Sequence, residues 1–158
     1  LVHLFNHGLM KGGLFLVVAN ITFRLGSSKI QGMAGLARKM PWTTLAFAVG
    51  GLSLIGVPGT AGFISKWYLV QAALMKGQIW LALLILMSSL LAVGYVWKVI
   101  EVMLLKPPTK RVENTKPAPL RMIWPVWVMI GSTVVFGLWT TWTGTVAEVA
   151  AETLMGLR

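Results

Sequence analysis

Two histidines and a lysine, His3, His7 and Lys11, stand four residues apart in an otherwise apolar run. On an α-helix this spacing places the three side chains on one stripe, one turn apart. A lysine near the middle of a membrane span costs roughly 2.5–3.5 kcal/mol on insertion scales. Histidine titrates near neutral pH, and desolvation lowers the pKa of a buried lysine, so such groups can exchange protons. The stripe therefore favours proton or ion conduction.

Zinc binding and plain structural packing are the alternatives for the same stripe. A His-x3-His pair can chelate zinc, but a zinc site needs three or four ligands. The sequence contains no cysteine, no aspartate and no third histidine, and its four glutamates come late in the chain. We therefore predict no metal site. A pair of histidines that are simply hydrogen-bonded to neighbouring helices remains an open alternative.

The composition indicates that the bilayer is the solvent for most of the chain. Of the 158 residues 56% are hydrophobic and 11% are charged, with a mean hydropathy of +0.77, whereas roughly a quarter of the residues in a soluble domain are charged. A net charge of +10 would suggest nucleic acid in a soluble protein. Here the cations lie mainly in short segments between apolar runs, which is typical of membrane flanks. We expect a lipid bilayer and no nucleic acid among the partners.

The predicted fold is an all-α integral membrane protein with about five transmembrane segments. They cover residues 1–22, about 41–57, 59–75, 79–105 and about 122–142. The sequence starts inside the first segment, without the basic region or cleavage site of a signal peptide. We therefore expect residues 1–158 to be the C-terminal part of a longer transmembrane domain.

The third segment is expected to be discontinuous. It follows Pro58 and Gly59, contains Gly62 and carries Lys66 before a more apolar stretch. Irregular backbone is tolerated in a bilayer only where it is buried in protein or lines a wet cavity. We predict an interruption between about Gly59 and Lys66, with Lys66 as a second titratable group of a conduction path. The alternative is an ordinary kinked helix whose lysine snorkels to the interface.

Two polar stretches lie outside the spans. Residues 106–121 contain four prolines and six charges, which predicts a polar loop. Residues 143–158 have apolar residues at helical spacing, which predicts a short amphipathic tail at the membrane surface. If all five segments cross, six cations lie on one side and five on the other, so the positive-inside rule leaves the orientation open.

Glycine pairs in the apolar segments predict close helix packing and no ligand cradle. Gly12-Gly13 and Gly50-Gly51 are the pairs concerned. The sequence has no phosphate loop, nucleophile elbow or dinucleotide fingerprint, and no cofactor is expected.

Two strings resemble the antiporter-like membrane subunits shared by respiratory complex I, Mrp-type multisubunit cation/proton antiporters and membrane-bound hydrogenases. HLFNHGLMKGGLFL resembles the H-x3-H-x3-K-x2-LF motif of this family. MPWTTLAFAVGGLSLIGVPGTAGFISKWYLV resembles its next signature, a small-residue helix followed by G-x-P and by GF-x-x-K at a broken helix. The two motifs occur in the family's order, and the resemblance covers nearly the whole chain.

The resemblance implies roles for four residues. Lys11 matches the central lysine of the proton path, and His3 and His7 match the histidines that precede it. Lys66 matches the lysine, a glutamate in some members, at the break of the discontinuous helix. The resemblance also implies other membrane subunits as partners, protons and a monovalent cation as the transported ions, and a bacterial plasma (inner) membrane location.

Three functions follow as hypotheses. The sequences of GFISKWYLV and of residues 83–108 most resemble the D-type subunit of the Mrp branch. The leading hypothesis is accordingly a proton-conducting membrane subunit of a multisubunit monovalent cation/proton antiporter. The alternative is a proton-pumping membrane subunit of an NADH:quinone oxidoreductase, in which any NADH chemistry would belong to partner subunits. A non-conducting membrane scaffold is the second alternative. A transporter subunit is expected in preference to an enzyme with its own redox centre.

Overall fold

Helices make up most of the described chain. The computed structural model describes residues 1–139 and Thr153, so nearly all of the predicted tail at 143–158 lies outside the described residues. Between residues 1 and 139 it contains no strand, and the predicted all-α membrane fold is confirmed. The helices are α1 (Val2–Leu25), α2 (Pro41–Ile55), α3 (Ala61–Met75), α4 (Ile79–Leu104), the single turn α5 (Lys110–Glu113) and α6 (Leu120–Leu138). Two short 3-10 turns, Ile30–Met33 and Leu36–Arg38, connect α1 to α2.

Helix length separates complete spans from partial ones. Among the described residues α1, α4 and α6 are long and apolar enough to cross a membrane. Helices α2 and α3 have 15 residues each, so each extends about 22 Å at 1.5 Å per residue. That is short of a hydrocarbon core of about 30 Å. Helix α4 has 26 residues and extends about 39 Å, close to the combined length of α2 and α3.

Contacts along α4 show that α2 and α3 are successive halves of one crossing. The backbone N–H of Gly35, just before α2, donates to the carbonyl of Val102 at 3.1 Å. Farther along, Gly51 of α2 faces the side chain of Val96, and Lys66 of α3 donates a hydrogen bond to Ser89 at 2.7 Å. The partner positions on α4 fall steadily as the chain runs through α2 and α3. The two helices therefore lie end to end beside α4, and the predicted count of about five segments is approximate.

The break between α2 and α3 lies at residues 56–60, earlier than the predicted interruption between Gly59 and Lys66. Gly56 and Gly59 have φ of 94° and 86°, a backbone region that side-chain-bearing residues rarely adopt. Thr60 then caps α3 by accepting a hydrogen bond from a backbone N–H at 3.4 Å. Because the cap starts the helix here, the break begins about one turn and ends nearly two turns earlier than predicted, and Lys66 lies inside α3.

Two glycines allow neighbouring backbones to reach the break. A Cβ on Gly62 of α3 would collide with the carbonyl oxygen of Ser53 in α2. A Cβ on Gly137 of α6 would collide with the backbone of Thr60. Side chains at these two positions would push α2 and α6 away, so the tight junction around the break depends on them.

Helices α1 and α6 pack antiparallel over their whole lengths. The Asn20 amide donates to the carbonyl of Met122 at 3.0 Å near one end, and the rings of Phe5 and Phe136 lie 5.6 Å apart near the other. Between these contacts, Gly13 faces Ile130 so closely that a Cβ would clash. Gly12, Gly50 and Gly51 make equally close contacts. The predicted close packing at both glycine pairs is confirmed.

Folding gathers the loop cations at one end of the bundle, here named the basic end. Because α2 and α3 form one crossing, the α1–α2 connection and the segment between α4 and α6 lie at the same end of the bundle. A hydrogen bond joins them: the N–H of Thr109 donates to the carbonyl of Ala34 at 3.4 Å. Over residues 1–139 the opposite end has Lys76. The cations of the basic end are Arg24, Lys29, Arg38, Lys39, Lys106, Lys110, Arg111, Lys116 and Arg121.

This asymmetry predicts the orientation, which the sequence alone left open. Positive loops remain on the cytoplasmic side of a membrane, so the basic end should face the cytoplasm. In a sequence without cysteine, the exposed positions Ser28 and Gln78 can each be replaced by cysteine. An impermeant maleimide should label Gln78→Cys in intact cells and Ser28→Cys only in inverted vesicles. The reverse pattern would contradict the assignment, and the unsubstituted chain measures background labelling.

Candidate functional site

The side chain of Lys66 reaches from α3 across the break to the end of α2. Its Nζ donates to the carbonyl oxygens of Leu54 at 2.8 Å and Ile55 at 3.0 Å. A third hydrogen bond runs to the Oγ of Ser89 on α4 at 2.7 Å. An ammonium group has three donors, so these three neutral acceptors match its capacity. Ser89 is near the middle of the spanning helix α4. The Lys66 ammonium and the break between α2 and α3 therefore lie near the middle of the membrane.

The position of Lys66 follows from the chemistry of a helix end. The last carbonyls of an α-helix have no partner within the helix, and they carry about half a negative charge together. In hydrocarbon each unpaired carbonyl costs several kcal/mol. The ammonium of Lys66 satisfies two of these carbonyls at the end of α2. The lysine thus points into the protein, and the snorkelling alternative does not describe it.

His3 is joined to α3 next to Lys66. Its Nδ1 lies 3.1 Å from the Oγ of Ser65, a fully buried residue. The Ser65 hydroxyl donates to the carbonyl of Gly62 at 3.2 Å, so its oxygen accepts from the ring. With the proton on Nδ1, the Nε2 of His3 is the nitrogen that is free to take another proton.

His7 lies between His3 and Lys11 on the stripe. The rings of His3 and His7 have centroids 5.4 Å apart. Lys11 is one turn nearer the basic end, a rise of about 6 Å. It is exposed on the surface of the described chain, whereas Lys66 is half-buried. The structure therefore groups the histidines with Lys66 and places Lys11 at the outer end of the same line.

Sequence reasoning missed three residues that hold this group together. Ser65 links His3 to α3, Ser89 bonds Lys66, and the buried Asn6 donates its amide to the carbonyl of Ala61 at 3.1 Å. Polar residues inside apolar segments were the available signal. That signal could not show which of two adjacent serines in α4 faces the lysine.

The arrangement offers titratable groups at successive levels of the bundle. Along α1, His3, His7 and Lys11 follow one another towards the basic end, with His3 beside Ser65 in α3 and the Lys66 ammonium at the break. Among the described residues no group of three His, Cys, Asp or Glu side chains could hold a metal ion. Such a series can pass protons when water or side-chain motion closes the gaps.

A family model described as NADH:quinone oxidoreductase/Mrp antiporter, TM, matches residues 1–92, more than half of the chain. The chain belongs to this family. The match includes α1, the broken α2–α3 crossing and the first half of α4.

Two curated relatives represent the two branches of the family. The N subunit of the NADH-quinone oxidoreductase of Desulforudis audaxviator is 37% identical over 150 residues, covering 87% of this chain and 30% of the relative. The D subunit of the Na(+)/H(+) antiporter of Bacillus subtilis is 27% identical over 156 residues, covering 97% of this chain and 31% of the relative. The chain thus spans about a third of the length of these relatives.

Two solved structures contain chains with the same fold. A chain of the Mrp complex from Dietzia sp. DQ12-45-1b superposes with a TM-score of 0.80 at 24% identity, over 89% of this chain and 34% of that one. A chain of the membrane-bound sulfane sulfur reductase, an archaeal respiratory membrane complex, superposes with a TM-score of 0.79 at 32% identity. The match covers 86% of this chain and 23% of that one. The broken crossing therefore belongs to a known architecture.

The contacts of Lys66 predict a structural cost when its charge is removed. Lys66→Met should leave the carbonyls of Leu54 and Ile55 without their partner, and unsatisfied buried groups cost about 1–3 kcal/mol. The thermal unfolding midpoint of the detergent-solubilised protein should fall. Lys76→Met removes an exposed lysine beside the α3–α4 turn and should leave the midpoint unchanged. Equal midpoints for the two variants would contradict the capping role.

Proposed function

We propose that the chain is part of a proton-conducting membrane subunit of a multisubunit Mrp-type monovalent cation/proton antiporter. Lys11, Lys66, His7 and His3 are the residues that carry protons. The supporting observation is that adjacent residues of α3 hold both parts of the site: Ser65 contacts His3 of the histidine stripe, and Lys66 places its ammonium at the mid-membrane break. A cation held inside a membrane bundle marks an ion or proton pathway by default.

The proposed path runs between the two ends of the bundle. Lys11 and then His7 form the part towards the basic end, Lys66 lies at the break, and His3 continues the path beside Ser65 in α3. Histidine can accept and release a proton near neutral pH. Two ammonium groups about 10 Å apart would repel each other by about 1.7 kcal/mol at an effective dielectric constant near 20, and electrostatic coupling of this kind between Lys11 and Lys66 is part of the proposal.

Partners and location follow from the same proposal. The relatives named above are subunits or complexes by their names, and other membrane subunits are the proposed neighbours of this chain. Protons and a monovalent cation are the proposed transported ions. The bacterial plasma (inner) membrane is the proposed location.

A second candidate is a proton-pumping membrane subunit of an NADH:quinone oxidoreductase. It is favoured by the 37% identity to the N subunit of Desulforudis audaxviator, which exceeds the 27% identity to the antiporter protein of Bacillus subtilis. The same four residues would carry protons, but redox chemistry in partner subunits would drive them.

Replacement of Lys11 tests conduction with little risk to folding. Lys11 is exposed on this chain, so Lys11→Ala should leave assembly of the complex intact while abolishing proton movement in inverted vesicles. Assembly is checked by native gel, and proton movement by a pH-sensitive fluorescent dye. Lys98→Ala, which alters another exposed lysine, is the matched control. Full transport by the assembled Lys11→Ala complex would support the non-conducting scaffold.

The energy source separates the two conducting candidates. Vesicles containing the complex are given either a sodium or potassium salt, or NADH with a quinone. An antiporter should move protons on addition of the salt alone. An oxidoreductase should move them only while NADH is oxidised, and that result would replace the first proposal with the second.

A further inference from the structure

Ser89 supplies the one side-chain acceptor among the three that bind Lys66. Its Oγ lies 2.7 Å from Nζ, and the other two acceptors are backbone carbonyls of α2. Substitutions in α2 leave those carbonyls in place, whereas the Ser89 oxygen can be removed alone. Ser89 is also the contact that ties the lysine to α4.

The hydroxyl of Ser89 is oriented to accept from the ammonium. It donates to the carbonyl of Ile85, one turn earlier in its own helix, at 3.2 Å. With its proton committed there, the oxygen presents lone pairs to Lys66. An acceptor on a charged donor stabilises the charged form more than the neutral form.

The neighbouring Ser88 provides an internal comparison. Its hydroxyl donates to the same carbonyl of Ile85, at 2.7 Å, but the residue is exposed and does not bond Lys66. The two serines thus share a helix, a residue type and a backbone partner. They differ in whether they face the break.

We propose that Ser89 is a positioning residue that holds the Lys66 ammonium against the carbonyl end of α2 and so sets the pH at which Lys66 releases its proton. This inference rests on the proposed function, because it assigns Ser89 a role in proton transfer by Lys66.

Other titratable groups around Lys66 come from α1. His3 contacts Ser65, the residue before Lys66, His7 packs against His3, and neither histidine bonds Ser89. Within the described helices, α2 has no titratable side chain, α6 has Arg121 at the basic end, and Tyr95, Lys98 and Glu101 of α4 lie farther towards that end. Removing the Ser89 oxygen therefore changes the hydrogen bonding of Lys66 without removing a charge.

The test is the pH profile of proton movement by the intact complex in inverted vesicles. Ser89→Ala should move the profile to lower pH by about one unit, because a hydrogen bond to a charged group is lost. Ser88→Ala should leave the profile unchanged, and Ser89→Thr should restore it by returning a hydroxyl. Ser89→Cys keeps the size with a weaker acceptor and should give a smaller shift, which separates hydrogen bonding from packing.

The outcomes distinguish this inference from the proposed function. A profile for Ser89→Ala that coincides with that of Ser88→Ala, while Lys66→Ala abolishes transport, overturns the role of Ser89 alone. Full transport by an assembled Lys66→Ala complex overturns the proton-carrying role of Lys66 itself. A shift that Thr does not restore assigns the effect to packing and also overturns the inference.

Discussion

The contact between the Lys66 ammonium and the carbonyl end of α2 is the interaction on which the rest of the described structure depends. A helix that stops inside a bilayer leaves backbone carbonyls unpaired, and a lysine at that depth leaves a charge unpaired. Each is costly alone. Together the two costs offset each other, because the ammonium group lies at the negative end of the helix dipole and donates hydrogen bonds to the unpaired carbonyls. The broken crossing and the buried lysine therefore stabilise each other.

Three other helices complete this junction. Helix α4 runs beside both halves of the broken crossing and contributes Ser89. Helix α1 brings His3 to Ser65, next to the lysine, and α6 approaches the break through Gly137. The junction therefore draws on each of the long helices. In the proposed function, a proton taken up or released at Lys66 would change the electrostatics where these helices meet.

Much of the fold was predictable, since hydrophobic runs in a membrane chain mark helices directly. Lys11, Lys66, His7 and His3 could be predicted as candidates because charged or titratable residues in apolar runs are rare. The end-to-end arrangement of α2 and α3 was not predictable, because it depends on how α4 packs along both. From hydropathy, α2 and α3 were counted as two separate crossings. That count placed the loop cations almost evenly on the two sides of the membrane. Ser89 was missed for a related reason, since only packing distinguishes it from Ser88.

The central claim is tested most directly by an experimental density map of the intact membrane complex at a resolution that shows side chains and ordered water. The account predicts α2 and α3 as one interrupted crossing, with Lys66 Nζ within hydrogen-bonding distance of the Leu54 and Ile55 carbonyls and of Ser89. A map in which Lys66 points into lipid, with the end of α2 capped by another group, would contradict it.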